Sequence, residues 1–175
     1  MRGRGMVPHV ITYSVAISAC EKAGEWRSAR TLLAEMQDIS ATPDVITYNA
    51  VISACGMGQQ WQQALELLQE MQRQHVPPNT VTYNAAISAC EKGQCWQAAL
   101  GLLSELRSRP GADPDVVSYS AAISACQKCA QWERAFAVFE EMRQMRIRAN
   151  DVTYNAAISA CESGQQWWRA LRLLE

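Results

Sequence analysis

Polar side chains of the same kinds return at matching intervals along this chain. Ser14, Ser18 and Lys22 are spaced i, i+4 and i+8, and the same slots hold Asn84, Ser88 and Lys92, then Ser120, Ser124 and Lys128. Two further sets, Asn49 with Ser53 and Asn155 with Ser159, end in Met57 and Ser163 in place of lysine. Amides and hydroxyls give directional hydrogen bonds, and lysine adds three donors and a point charge. Such groups bind; they do not by themselves break bonds. Catalysis needs a convergent nucleophile, base and stabilising group, or a metal. The two histidines, His9 and His75, stand in turns with no Asp, Ser or Cys constellation repeating around them. A structural zinc takes four ligands. The one CxxC, Cys126 with Cys129, has no second pair, and Cys95 lies outside the pattern. The reading is therefore a non-enzyme without metal or cofactor.

A merely solvated face drifts between copies, as the stretches RSARTLLAEMQ, QQALELLQEMQ and ERAFAVFEEMR do. The Asn/Ser, Ser, Lys stripe drifts less, which marks it as functional. Something must present it repeatedly, and the chain shows what. Tyr13, Tyr48, Tyr83, Tyr119 and Tyr154 anchor near-copies of one phrase, VTYNAAISAC in its commonest form, at steps of 35 or 36 residues. A period of this size is the signature of a solenoid, whose core is a row of interfaces between neighbouring units.

Each unit reads as two helices. Pro43, Pro77 with Pro78, and Pro114 stop the preceding helix. Thr12, Thr47, Thr82, Ser118 and Thr153, or the Asp or Asn nearby, can cap the next one. The first helix ends around Gly24, Gly58, Gly93 and Gly164. The second opens at Trp26, Trp61, Trp96, Trp132 and Trp167, which read as packing between helices. Tyr13, Ala16, Ile17 and Cys20 fall at i, i+3, i+4 and i+7, an apolar stripe. Cys20, Cys55, Cys90, Cys126 and Cys161 share one slot, roughly 10 Å apart in a stack, which exceeds the ~7 Å between Cα atoms that a disulfide spans. They read as small buried residues. The expected architecture is an all-α, right-handed α-solenoid superhelix, first helices inside and second helices outside. Its expected units are 10–44, 45–79, 80–115 and 116–150, with a preceding tail at 1–9 and an incomplete unit at 151–175.

With 16 Lys and Arg against 17 Asp and Glu, the chain does not hold nucleic acid by bulk positive field alone. There is no run of 18 apolar residues to cross a membrane. MRGRGMVPH has no apolar core, is too short for a transit peptide, and matches the end of a unit.

The VTYN opening, the Gly break, the ALxLLxEM-like second helix and the closing Pro-Asp or Pro-Asn resemble pentatricopeptide repeats, over essentially the whole chain. The resemblance implies single-stranded RNA binding at one base per repeat. In that family the fifth residue and the last residue of a unit select the base. They match Ser14 with Asp44, Asn49 with Asn79, Asn84 with Asp115, and Ser120 with Asn150; Asn155 has no partner within the chain. The second residue wedges bases apart and matches Ile11, Ile46, Val81, Val117 and Val152. The thirteenth meets phosphate and matches Lys22, Lys92 and Lys128. Ionised Asp44 and Asp115 only accept, which suits the imino N–H of G or U, whereas Asn79 and Asn150 can donate to the ring nitrogen of A or C. Serine leaves room for a purine, and asparagine reaches a pyrimidine. The expected core is 5′-G-C/U-U-A-3′, with Ser120 and Asn150 both exposed in the groove. The extra residue of the third unit falls in RSRPGADPD, where the register survives it. Family members act mostly in mitochondria and plastids, in RNA processing, stabilisation, editing or translation. Uncapped ends imply self-association or fraying. The alternative is a tetratricopeptide-like scaffold for proteins or peptides.

Overall fold

The computed structural model describes residues 10–173. The expected tail at 1–9, with Pro8 and His9, lies outside the described residues. Among those described, the chain forms ten α-helices and no strand. The first helices of successive units are α1 (Val10–Ala23), α3 (Val45–Met57), α5 (Thr80–Lys92), α7 (Val116–Lys128) and α9 (Asp151–Ser163). The second helices are α2 (Trp26–Asp38), α4 (Trp61–Arg73), α6 (Trp96–Ser108), α8 (Trp132–Gln144) and α10 (Trp167–Arg172). None of these helices is long and apolar enough to cross a membrane.

The first helices pack directly on one another, and each second helix packs on its own first helix; α2, α4, α6 and α8 also pack on the next. Second helices have no comparable backbone approach among themselves. Close spacing in one layer and wide spacing in the other bend the stack, with the first helices on the concave side. The chain is thus a right-handed α-solenoid. Small side chains permit the close layer. A Cβ on Gly56 would lie 3.2 Å from the Ala89 Cα, so α3 and α5 meet nearly backbone to backbone. Ala50, Ala54, Ala89, Ala121 and Ala125 are buried in the same layer. The first helices α3, α5 and α7 are consequently buried beyond their Tyr, Ile and Cys stripe, which leaves a narrow strip exposed on the concave side.

The two layers are tied by tyrosines. Tyr48, Tyr83 and Tyr119 are fully buried, and their hydroxyls donate to Glu70, Glu105 and Glu141 of the same unit's second helix, at 3.3, 2.5 and 2.9 Å. Each glutamate also takes a donor from the preceding unit, Gln37, Gln72 or Arg107. Burial foremost, with the neighbouring carboxylate, pushes Tyr48 and Tyr119 up to about 12. The cysteine row is buried from Cys55 to Cys161, and burial pushes Cys55 and Cys126 up to about 11. These thiols fill space and are poor nucleophiles.

Of the glycines at the first break, Gly24 is the left-handed residue, with φ +72, but the other three do not act as their position implies. Gly58, Gly93 and Gly164 have ordinary helical φ of −80, −82 and −86. The left-handed residue is the next one, Gln59, Gln94, Ala130 or Gln165. The glycines are small because a Cβ would land 2.2 or 2.3 Å from Trp26, Trp61 or Trp132 of the preceding unit. Tryptophan therefore packs across the interface between units, against the turn that follows. Cys129 takes this slot in the fourth unit. Trp167 has no following unit over it among the described residues and is 72% exposed.

Candidate nucleic-acid interface

Four of the first helices are capped alike. Asp44, Asn79, Asp115 and Asn150 occupy the N-cap in extended backbone, and each side chain accepts the backbone N–H three residues on. Of the caps left open by the sequence, the Asp or Asn is the one used. Thr47, Thr82, Ser118 and Thr153 sit inside the helix and are at most 1% exposed. Capping also fixes what the last residue turns to solvent. The Asn150 Oδ1 takes the Thr153 N–H at 2.9 Å and the Thr153 hydroxyl at 2.8 Å, so its amide N–H groups point away from the helix. Asn79 is held the same way by Thr82. Asp44 uses Oδ1 on Thr47 at 2.8 and 2.7 Å, which leaves Oδ2 as an outward acceptor.

The fifth residue of each unit comes to lie beside the last one. Asn84 Nδ2 donates to Asp115 Oδ1 at 3.1 Å, so the insertion before Asp115 leaves the register intact. The extra length is absorbed in the turn at Gly111, whose φ is +82. Ser14 lies 2.9 Å from the Thr47 hydroxyl, and Ser120 lies 2.6 Å from that of Thr153. The expected exposure of the fourth pair needs correction. Asn150 is exposed, but Ser120 is only 7% exposed, because α9 packs over it. Asn155, with no following unit described, is exposed.

Five β-branched side chains stand out of this concave strip. Ile11, Ile46, Val81, Val117 and Val152 are 75, 69, 59, 51 and 59% exposed, although all belong to helices with well-buried faces. Ile46, Val81 and Val117 line an open cleft together with Asn49, Asn79, Asn84, Ser53, Ser88 and Lys92. Lys22, Lys92 and Lys128 are exposed along one edge. Lys128 is paired with Glu91 at 3.0 Å, and Lys92 Nζ rests 3.5 Å from the sulfur of Met57.

Sequence periodicity left two features unseen. The third-residue hydroxyls of Thr47, Ser118 and Thr153 link the members of three of the pairs, a role readable only as a Thr or Ser recurring at one slot. Arg148 shares a surface hollow with Asn150 and Val152, from an inter-unit turn where helical spacing says nothing. Among the described residues no cluster of three or more His, Cys, Asp or Glu is arranged to hold a metal ion.

Fold and site together define a helical-repeat protein whose concave face alternates exposed apolar side chains with oriented hydrogen-bonding residues. The PPR repeat family model matches residues 8–57, 43–92, 78–128 and 114–162, and the chain belongs to that family. No curated protein sequence matches it. Among solved structures it is similar to the pentatricopeptide repeat protein PPR10 from maize, with a TM-score of 0.77 and 27% identity over 97% of this chain and 24% of that one. A cysteine-substituted form of PPR10 in complex with an 18-nt psaJ RNA element gives a TM-score of 0.83 and 27% identity, covering 97% and 25%. The PPR domain of Arabidopsis thaliana protein-only RNase P 1, in complex with tRNA, shares the fold at a TM-score of 0.82 and 15% identity, covering 96% and 88%. The chain spans about a quarter of the maize protein.

Proposed function

We propose that this chain binds single-stranded RNA, one base per unit, with each base seated between successive wedge residues and read by the pair beside it. The observation that carries this reading is the alternation along one strip of exposed Ile or Val with paired, pre-oriented polar side chains. A base needs both: an apolar surface for its faces and matched donors and acceptors for its edge. Asp44 with Ser14 offers acceptors to the N–H groups of guanine. Asn150 donates to the ring nitrogen of adenine while Ser120 accepts its amine. Asn84 donates and Asp115 accepts, the complement of uracil. Asn49 with Asn79 takes a pyrimidine, so the core is 5′-G-C/U-U-A-3′. Lys22, Lys92 and Lys128 meet phosphate. The RNA complexes of PPR10 and of the RNase P 1 domain support RNA as the partner.

The chain acts by binding, and any chemistry is supplied by other domains or partners. Processing, stabilisation, editing or translation of RNA in a mitochondrion or plastid is the setting we assign to it, and 10–44, 45–79, 80–115 and 116–150 are its reading units. The exposed Trp167, Trp168 and Leu171 at one end provide a surface for self-association, expected as a rise in mass with concentration in light scattering. Random-pool RNA selection tests the main proposal. Enrichment of GCUA or GUUA supports it; retention with no base preference among homopolymers would favour a peptide-binding scaffold.

A further inference from the structure

Between the two members of each pair lies a buried hydroxyl, that of Thr47, Thr82, Ser118 or Thr153, the third residue of the following unit. We propose that this hydroxyl is a positioning group for base reading: the partner on which it spends its single proton decides whether the fifth residue faces the groove as donor or acceptor. The proposal rests on the RNA-reading function above.

A hydroxyl has one proton and two lone pairs. At Thr153 all three are assigned. It donates to Asn150 Oδ1 at 2.8 Å and accepts the Asn150 N–H at 3.3 Å, which leaves one lone pair for the Ser120 hydroxyl at 2.6 Å. Ser120 is therefore the donor in that contact, and only its lone pairs remain for the groove. Thr47 likewise donates to Asp44 at 2.7 Å. The Ser14 proton then goes to Thr47 at 2.9 Å or to the Val10 carbonyl at 3.1 Å, and in both cases away from the groove.

Ser118 spends its proton differently. Asp115 Oδ1 already receives the N–H groups of Val117 and Ser118, at 3.0 Å each, and the Asn84 amide at 3.1 Å. An oxygen with three donors gains little from a fourth. The Ser118 hydroxyl lies 2.5 Å from Asn84 Oδ1 and 3.1 Å from Asp115 Oδ1, so the asparagine takes it. Asn84 is thereby locked with its oxygen inward and its amide N–H outward. One slot thus produces an acceptor at serine and a donor at asparagine.

The second unit supplies the contrast. Thr82 donates to Asn79 Oδ1 at 3.0 Å and accepts the Asn79 N–H at 3.1 Å, and Asn49 Oδ1 is left buried with no donor. A buried acceptor without a partner is costly. By the register that sets Asn84 on Ser118, a half rotation of the Asn49 amide turns its NH2 toward the spare Thr82 lone pair and its oxygen toward the groove. The pair then offers an acceptor and a donor, which complement the amine and ring nitrogen of cytosine. The second base is C in preference to U.

The test uses the full chain and short RNAs that vary one base of GCUA at a time. Thr153→Val keeps the side-chain shape and removes the hydroxyl, which frees the Ser120 proton to turn outward. Preference for A at the fourth base should shrink about three- to tenfold, the worth of one hydrogen bond, with the third-base preference unchanged. Thr153→Ser should restore it. Ser118→Ala, read at the third base, is the independent arm should Thr153→Val lose its helical circular dichroism. A folded hydroxyl-less variant with full preference at its own base overturns the proposal, as does an equal loss at every base or the unfolding of both variants. A wild-type chain without base preference at any position overturns the RNA reading itself.

Discussion

Exchanging the fourth pair for the third one should rewrite one letter of the recognised RNA. In Ser120→Asn/Asn150→Asp the new amide and carboxylate are set as Asn84 and Asp115 are, where Nδ2 donates to Oδ1 at 3.1 Å. Thr153 is available to act as Ser118 does. The adenine ring nitrogen then faces a carboxylate lone pair and loses the Asn150 donor, while uracil gains a partner for its N–H. A matched pair of contacts of this kind discriminates by about 1–3 kcal/mol, so the preference should pass from A to U by roughly ten- to a hundredfold. Because Ser120 is only 7% exposed, the substitution disturbs packing, but Asn84 occupies the equivalent slot half-buried. A stability loss of about 1 kcal/mol is expected, typical of a tolerated change near a core. Fluorescence anisotropy with GCUA and GCUU at one fixed salt concentration reads the switch. Retained preference for A, or loss of all binding in a chain that still melts cooperatively, would refute the two-residue reading of this unit.

Removing Lys22, Lys92 and Lys128 together should weaken binding to all sequences alike and lower the salt slope by ~0.7 per phosphate contact, read by titration at several salt concentrations. Glu91→Gln should raise affinity slightly, because Lys128 is then released from its 3.0 Å ion pair. Gly93→Ala would place a Cβ 2.2 Å from Trp61 Cδ1, and overpacking of this kind costs about 1–3 kcal/mol in denaturant unfolding. In a Trp61→Leu background the same change should become neutral or stabilising. Alkaline stability follows from the raised acid groups. Cysteine is raised from 9.0 to about 11 at Cys55 and tyrosine from 10.0 to about 12 at Tyr48. Both kinds are neutral in folded and unfolded chains below pH 9, where their contribution is fully present. As pH rises further, the unfolded chain ionises first, so stability should fall between about pH 9 and 12. Circular dichroism melts across that range check it, and Tyr48→Phe should make the fall shallower.

Much of the architecture was legible in the chain because a repeat states its own period. The steps between Tyr13, Tyr48, Tyr83, Tyr119 and Tyr154 imply stacked helix pairs, and helical spacing alone separates the Tyr, Ile and Cys face from the Ser and Lys face. What spacing cannot supply is the distance between units. Ser120 and Thr153 are 33 residues apart and 2.6 Å apart in space, a contact set by how closely α7 and α9 pack, and so by small side chains such as Ala160, buried in the slot through which Ala89 of α5 meets α3. The burial of Ser120 and the hydroxyl contacts of Ser14 with Thr47 and of Ser120 with Thr153 all arise at such interfaces between units. Gly58 and Gly93 make the same point. As letters they mark a helix end, yet a left-handed residue is provided by Gln59 and Gln94, and the glycines are required by a tryptophan one unit away. Local sequence determines which helices form and which residues they carry. The packing of one unit on the next decides which of those residues meet, because it alone brings side chains distant in sequence within hydrogen-bonding and van der Waals range.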